Sequence, residues 1–229
     1  NPSLENILSI ISDRTKAIVI AHAWGIPADI YEFLKLKEKG IFLIEDASRS
    51  CGSEYNFQKV GSFGDAAAIS FHEQKAIPAG SGGVFLTDNE EFLDNAVVLG
   101  HYYRSKTHKY TTNSLLKEFS SSGLGLNFEI HPLGAALGHL QLKKLEGRIK
   151  IMNNNYSNLI NYTSNIEHIK FLPIPPKVNK VSFYGFNFHW NINGRKDLPS
   201  KESIILALKA EGLMADKPGS PPLSTLPIF

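Results

Sequence analysis

An aspartate and a lysine follow two predicted buried strands, and both side chains can take part in chemistry. Asp46 comes just after the apolar run Ile41–Ile44, and Lys75 follows the run 66–71. The glycine-rich segment 76–83 predicts a tight turn, which would fix the direction of the lysine amine. Ligands of open α/β sheets bind outside the carboxyl ends of the strands. We therefore expect the amine and the carboxylate to face one cleft.

A lysine and an aspartate in one cleft allow two interpretations. The simpler one is a buried ion pair or two solvated surface groups, because ionisable residues usually lie on surfaces. The second is a site for pyridoxal 5'-phosphate (PLP), which forms a Schiff base with a lysine and needs a carboxylate beside its pyridinium nitrogen. The residues by themselves leave both interpretations open.

Short apolar runs alternate with helical patterns along the first part of the chain, which predicts a mainly parallel sheet with helices on both faces. A long helix, a strand and a further helix follow, and they predict a small C-terminal α/β unit. We place one domain at residues 1–147 and a second at 148–229. The predicted strands are 16–21, 41–44, 66–71, 83–87 and 181–190, and the predicted helices are 4–11, 28–39, 90–99, 133–166 and 201–211.

Composition excludes several classes of protein. The formal net charge is +2, from 24 Lys and Arg against 22 Asp and Glu, so we expect no nucleic acid or membrane partner. The single cysteine, Cys51, rules out an intrachain disulfide and fits a cytoplasmic location. We expect no metal site either, because the chain has neither a Cys pair nor two His at zinc spacing.

An ordered set of motifs then stands out between residues 45 and 83. It consists of Glu45-Asp46-Ala47, the turn 61–65 (Gly-Ser-Phe-Gly-Asp), Ser70-Phe71, Lys75 and the turn 80–83 (Gly-Ser-Gly-Gly). This set resembles the DegT/DnrJ/EryC1/StrS family of PLP-dependent sugar aminotransferases. The resemblance is clear from about residue 16 to 145 and continues more weakly to the C-terminus. It is specific because the whole set occurs in order.

The resemblance implies a fold and a role for each matched residue. The fold would be the large domain of a fold type I aminotransferase, incomplete at its N-terminus, with part of the small domain. Lys75 would be the catalytic, Schiff-base lysine, Asp46 would pair with the pyridinium nitrogen, and Ser70 would bind the cofactor phosphate. Asn127 would reach the cofactor phosphate of a second subunit, which implies a homodimer.

Several positions depart from the family pattern. Arg49 stands where glutamine is common, near the cofactor ring, so it would alter the ring electronics or bind a substrate anion. Cys51 takes a common histidine position, Glu129 a frequent arginine position and Ser81 the usual glutamate position. These departures would set substrate choice or indicate that activity has drifted.

Three further side chains are candidates for substrate contact. His22 follows the strand 16–21 at the same rim, and His72 lies three residues before Lys75. Tyr102 belongs to a polar and aromatic cluster after the helix 90–99, for which a solvated loop is the alternative. A histidine at such a rim is equally often satisfied by the backbone.

We therefore expect an aminotransferase that moves an amino group from glutamate or glutamine to a keto-sugar or keto-cyclitol through PLP. One alternative is a PLP-dependent sugar dehydratase, although the dehydratases of this family carry histidine where Lys75 stands. The other is a catalytically silent relative with a regulatory or binding role. The chain looks like part of a longer enzyme, and we expect residues 1–229 alone to be inactive and to bind PLP loosely.

Overall fold

The computed structural model describes residues 3–101, 118, 125–191, 194–195, 197–217 and 223–227. Two compact units are present, one formed by Asn1–Tyr162 with Pro173–Asn187 and the other by Thr163–Leu172 with Phe188–Phe229. The domain boundary between residues 147 and 148, which concerns a complete enzyme, stays a prediction. Within the described residues, no helix combines the length and the apolar character needed to cross a membrane.

The described helices and strands follow the predicted alternation. The helices are α1 (Leu4–Ile10), α2 (Ile30–Leu34), α3 (Glu90–Gly100), α4 (Pro132–Thr163) and α5 (Lys201–Ala210), with 3₁₀ turns at Ala23–Gly25, Lys37–Lys39 and Leu223–Thr225. The strands are β1 (Ala17–Ala21), β2 (Phe42–Asp46), β3 (Glu54–Tyr55), β4 (Gln58–Lys59), β5 (Ala66–Ser70), β6 (Gly83–Leu86), β7 (Ile169–Phe171), β8 (Val178–Lys180) and β9 (Phe188–Trp190).

A four-stranded sheet in the order β1-β2-β5-β6 organises the first unit. Strands β1, β2 and β5 run parallel, whereas β6 is antiparallel to β5. Neighbouring residues of a strand point to opposite faces, and helices cover both. Leu43 packs in one core cluster with Phe33 of α2, and the Phe42 ring contacts the Phe92 ring of α3 at 5.0 Å between centroids. The predicted, mainly parallel sheet is confirmed.

Two smaller sheets are formed by the remaining strands. Strand β3 pairs antiparallel with β4 and with β8 in the first unit, and β7 pairs antiparallel with β9 in the second. The strand predicted over 181–190 was wrong over most of its length, because only its last residues form β9. Val181, Ser182 and Phe183 are all buried, so their side chains do not alternate as the pattern suggested.

The helix predicted over 28–39 is also shorter than expected. Helix α2 ends at Leu34, and a 3₁₀ turn, Lys37–Lys39, completes the segment. Gly40 closes it with φ +72°, as the glycine in the sequence indicated. This short connection delivers the chain into β2, the strand that carries Asp46.

Candidate active site

The register of the parallel strands brings the predicted site residues to one edge of the sheet. Asp46, the last residue of β2, is aligned with Ala21 at the end of β1 and with Ala68 of β5. Ser70 ends β5, and Lys75 lies on the turn that follows. The Asp46 carboxylate is close enough to Lys75 to influence the pKa of its amine.

Backbone hydrogen bonds hold the turn that carries Lys75. The Lys75 N–H donates to the His72 carbonyl, and the Ala79 N–H donates to the Phe71 carbonyl, each at 2.9 Å. Arg148 of α4 donates from Nη1 to the Ala76 carbonyl at 3.3 Å. The turn is therefore tied at both ends and to the long helix, which limits the positions that the lysine can take.

The Lys75 amine lies over the Tyr184 ring, with Nζ 4.6 Å from the ring centroid. Burial lowers the pKa of this amine below its ordinary value, and the nearby positive charge of Arg49 lowers it further, while Asp46 acts in the opposite direction. A lowered pKa enlarges the fraction of neutral amine, which is the nucleophilic and basic form.

The Asp46 carboxylate is fixed by its own turn. Its Oδ1 accepts the Ser48 N–H at 3.0 Å, and its main-chain carbonyl accepts the His22 N–H at 3.1 Å. The residue is half-buried. A carboxylate held in this way presents a fixed negative charge at the edge of the sheet.

Glu45, on the opposite face of β2 from Asp46, anchors a buried network that the sequence did not reveal as such. Its carboxylate is fully buried and accepts the main-chain N–H groups of Gly61, Phe63 and Gly64, each at 2.7 Å. Burial opposes ionisation, but the hydrogen bonds from His22, Gly61 and Gly64 outweigh it and lower the pKa of Glu45. The glutamate thus ties the end of β2 to the turn 61–65.

His22 completes this network, and its position disagrees with the predicted substrate contact. Only 1% of the residue is exposed. Its Nδ1 accepts the Ala28 N–H at 3.0 Å, so the proton lies on Nε2, which donates to Glu45 at 3.0 Å. Because both ring nitrogens are engaged inside the protein, the ring supports the end of β1 and offers no nitrogen to a ligand.

Ser70 and His72 lie at the rim, and each has a proton that it can donate in a further hydrogen bond. The Ser70 Oγ accepts the His72 N–H at 3.3 Å, which leaves the hydroxyl proton for donation. His72 is exposed, and its Nδ1 accepts the Gln74 N–H at 3.3 Å, so its Nε2 carries the proton. The cofactor role of Ser70 and the substrate role of His72 remain predictions.

Arg49 lies over two aromatic rings that the sequence did not connect with it. Its Cζ is 5.0 Å from the Trp24 ring centroid and 4.7 Å from that of Tyr184. Trp24 packs against this guanidinium. Tyr184 was missed because it follows a loop far along the chain, and only the dense aromatic run 183–190 could have drawn attention to it.

The remaining candidates lie beyond this cluster. Asn127 has φ +56° and is exposed, between main-chain hydrogen bonds that join Leu126 to Leu99 and Phe128 to Gly100. Tyr102 lies outside the described residues. Asn127's contact with a second subunit stays a prediction.

Two of the departures from the family pattern have local structural explanations. Cys51 packs with Leu145 and Ile149, and burial raises the pKa of its thiol to about 11, so it is a core residue. Glu129 pairs with His101 at 3.3 Å. In the described part of the chain, no three His, Cys, Asp or Glu side chains cluster as metal ligands would.

Comparisons with known proteins agree with this architecture. The chain is 37% identical over 140 residues to the spore coat polysaccharide biosynthesis protein SpsC of Bacillus subtilis, covering 59% of this chain and 36% of that protein. It is 25% identical over 228 residues to the GDP-perosamine synthase of Escherichia coli O157:H7, covering 99% of this chain and 58% of that protein. The chain thus spans about half the length of such relatives.

The crystal structure of an E. coli GDP-4-keto-6-deoxy-D-mannose-3-dehydratase with bound hydrated PLP has the same fold. It aligns with a TM-score of 0.76 at 22% identity, covering 92% of this chain and 55% of that one. The family model described as the DegT/DnrJ/EryC1/StrS aminotransferase family matches residues 1–229. With the sheet, the ordered motifs and a match over the whole chain, the protein belongs to the DegT/DnrJ/EryC1/StrS aminotransferase family.

Proposed function

We propose that the protein, at its full natural length, is a PLP-dependent aminotransferase that transfers an amino group from glutamate or glutamine to a keto-sugar or keto-cyclitol. One observation supports this proposal most directly. The Lys75 amine lies on a turn that is fixed by backbone hydrogen bonds, and it is close enough to the Asp46 carboxylate for the two charges to interact. The names of relatives that make perosamine or transfer amino groups to deoxysugars support the substrate class.

The chemistry of the side chains at the sheet edge fits PLP. A primary amine, a carboxylate and a hydroxyl with an uncommitted proton are the groups that its aldehyde, pyridine nitrogen and phosphate need. These groups are Lys75, Asp46 and Ser70. When bound, PLP supplies an aldehyde and an electron-accepting ring; the protein supplies orientation and proton transfer.

Each residue has a defined task in this proposal. Lys75 holds and moves a proton at Nζ, and its lowered pKa favours the neutral amine that can accept one. Asp46 would hold the pyridine nitrogen of bound PLP with its carboxylate. Ser70 donates a hydrogen bond to the phosphate. Arg49 adds positive charge next to the lysine, and Asn127 reaches the site of a second copy of the chain in a homodimer.

The lysine favours an aminotransferase over a dehydratase. Dehydratases have the same fold, as the E. coli structure with PLP illustrates, so the fold does not separate the two activities. The dehydratases of the family are expected to carry histidine at the position of Lys75. A primary amine can form an imine with an aldehyde, whereas an imidazole cannot.

The decisive experiment is covalent trapping of the cofactor. Borohydride treatment of the full-length protein with PLP should attach the cofactor to Lys75, as read by peptide mapping. Lys75→Arg should abolish both the attachment and amino transfer, because a guanidinium is neither nucleophilic nor basic at neutral pH. A catalytically silent relative would show no visible absorbance from bound PLP and no trapping.

Lys177→Arg is the matched control for this variant. Its Nζ also lies over a tyrosine ring, 5.5 Å from the Tyr31 centroid, which is a different ring from the Tyr184 ring that Lys75 covers. This control should retain trapping and activity. A label on a lysine other than Lys75 would overturn the assignment.

A further inference from the structure

We propose that Arg49 binds a carboxylate of the amino donor in a cleft beside Lys75. This inference rests on the proposed aminotransferase function and names the residue that selects one of its two substrates. The cleft has a volume of about 410 Å³, which is the size of a small-ligand site. Its walls include Arg49, Lys75, Arg148, Ser182 and Tyr184.

The charge of the cleft favours an anion. Arg49 and Arg148 contribute two positive charges, Lys75 adds a third when it is protonated, and the described residues that line the cleft include no Asp or Glu. Asp46 acts on Lys75 from outside this lining, and the like charges within it repel one another, so an anionic ligand between them is stabilised. The ligand that fits this cleft therefore carries a carboxylate or a phosphate.

Arg49 is the cation whose donors are available. Arg148 already donates to the Ala76 carbonyl and contacts the Gln141 side chain. By contrast, the Arg49 guanidinium has no hydrogen bond or ion pair with any residue that the structure describes, and it lies over the faces of Trp24 and Tyr184. A planar guanidinium can bind a carboxylate through two parallel hydrogen bonds.

The protein holds this guanidinium at the cost of local strain. Trp24 has φ +58°, a conformation that is unfavourable for a bulky residue, and the Tyr184 N–H donates to the Trp24 carbonyl at 3.0 Å. The Trp24 and Tyr184 rings, 6.1 Å apart between centroids, are thereby fixed together beside Arg49. A preorganised cation binds an anion with less loss of side-chain entropy.

The position of Lys75 favours the donor as the source of the anion. Lys75 Nζ and Arg49 Cζ lie over the same Tyr184 ring, at 4.6 and 4.7 Å from its centroid. In an amino acid, the α-carboxylate is bonded to the carbon that carries the amine, so it stays next to the reacting nitrogen. A diphosphate on a nucleotide-linked sugar is several bonds from the keto carbon.

Ser182 supplies an independent polar group in the same wall. The residue is 1% exposed, and its Oγ has no hydrogen-bond partner among the described residues. A buried hydroxyl without a partner is unfavourable. The cleft therefore combines available cationic donors with a wall residue whose hydroxyl is unsatisfied.

The test measures binding without turnover. Glutarate, which has the glutamate skeleton without the amine, and pyrophosphate are titrated into the full-length protein by calorimetry. Arg49→Gln should weaken glutarate binding about tenfold to hundredfold, the range of a charge-assisted hydrogen bond, and change pyrophosphate binding less than about twofold. The matched control Lys177→Gln removes another cation that lies over a tyrosine ring, and it should leave both affinities unchanged.

Steady-state kinetics give a second readout, because Arg49→Gln should raise the KM for the amino donor and leave the KM for the keto substrate unchanged. Unchanged glutarate binding in Arg49→Gln overturns the inference, and so does an equal or larger loss of pyrophosphate binding, which would make the sugar nucleotide the source of the anion. Borohydride trapping on Lys75 is scored separately, so failure of the aminotransferase function itself is recognised by the absence of that label.

Discussion

Replacing Glu45 by glutamine should destabilise the protein strongly, although the change is a single atom. The carboxylate accepts four hydrogen bonds, with His22 and Gly61 on Oε2 and Phe63 and Gly64 on Oε1. A glutamine has only one acceptor oxygen, and its NH₂ group would face two N–H donors. His22 cannot relieve the clash by moving its proton to Nδ1, because that nitrogen already accepts an N–H.

The magnitude follows from the groups left without partners. Each buried, unsatisfied donor costs about 1–3 kcal/mol, and two of the four donors lose their acceptor. We expect a loss of about 3 kcal/mol in the free energy of unfolding after partial relaxation. For a chain of about 150–250 residues, that loss corresponds to a fall in Tm of about 6–12 °C, and the fall is smaller in a longer chain.

Thermal or urea unfolding of the full-length protein and of Glu45→Gln measures this difference at pH 7. Glu146→Gln is the matched control, because Glu146 is more than half exposed and, among the residues that the structure describes, pairs only with the surface residues Lys59 and Lys180. The free energy of unfolding of Glu146→Gln should fall by less than about 1 kcal/mol. A Glu45→Gln variant no less stable than this control would refute the reasoning.

The stability difference between the wild-type protein and Glu45→Gln should depend on pH in a definite direction. The pKa of Glu45 is lowered from its ordinary value of 4.5 in the folded protein, so the carboxylate's contribution to stability is complete above that value. It is lost as the pH falls through the lowered, folded-state pKa. The gap between the wild-type protein and Glu45→Gln should therefore narrow below about pH 4.5.

Three further variants or reactions test other parts of the structure. Asp46→Ala should lower kcat about 100-fold while leaving borohydride trapping of PLP intact, as steady-state kinetics and peptide mapping will show; an unchanged kcat would make this aspartate purely structural. Cys51, whose thiol has its pKa raised to about 11, should react with iodoacetamide at pH 8 only after denaturation, and rapid alkylation of the native protein would contradict its burial. Gly25→Ala should lower the Tm far more than Gly40→Ala, because an added Cβ would lie 2.0 Å from the Ser182 carbonyl oxygen at Gly25 and meets no atom within 4 Å at Gly40; equal effects would exclude this close approach.

Much of the fold could be predicted because its signals are local. Apolar runs bounded by turns indicated the parallel strands, and Gly40 marked the end of the segment that leads into β2. The stretch 181–190 was misjudged because its aromatic residues alternate like those of a strand, whereas Val181, Ser182 and Phe183 are all buried in the structure. Tertiary packing overrode the local pattern there.

The sequence by itself determined which groups reach the sheet edge, because Asp46, Ser70 and Lys75 lie at or just after the ends of parallel strands, and those ends must coincide. Only the tertiary structure decided what surrounds them. His22 forms a buried hydrogen bond to Glu45. Arg49 and Lys75 lie over the ring of Tyr184, which comes from a distant part of the chain. The burial of a side chain, its contact with an aromatic ring and the pKa of a lysine depend on distances between residues that are remote in sequence. The spacing of residues along the chain does not reveal those distances.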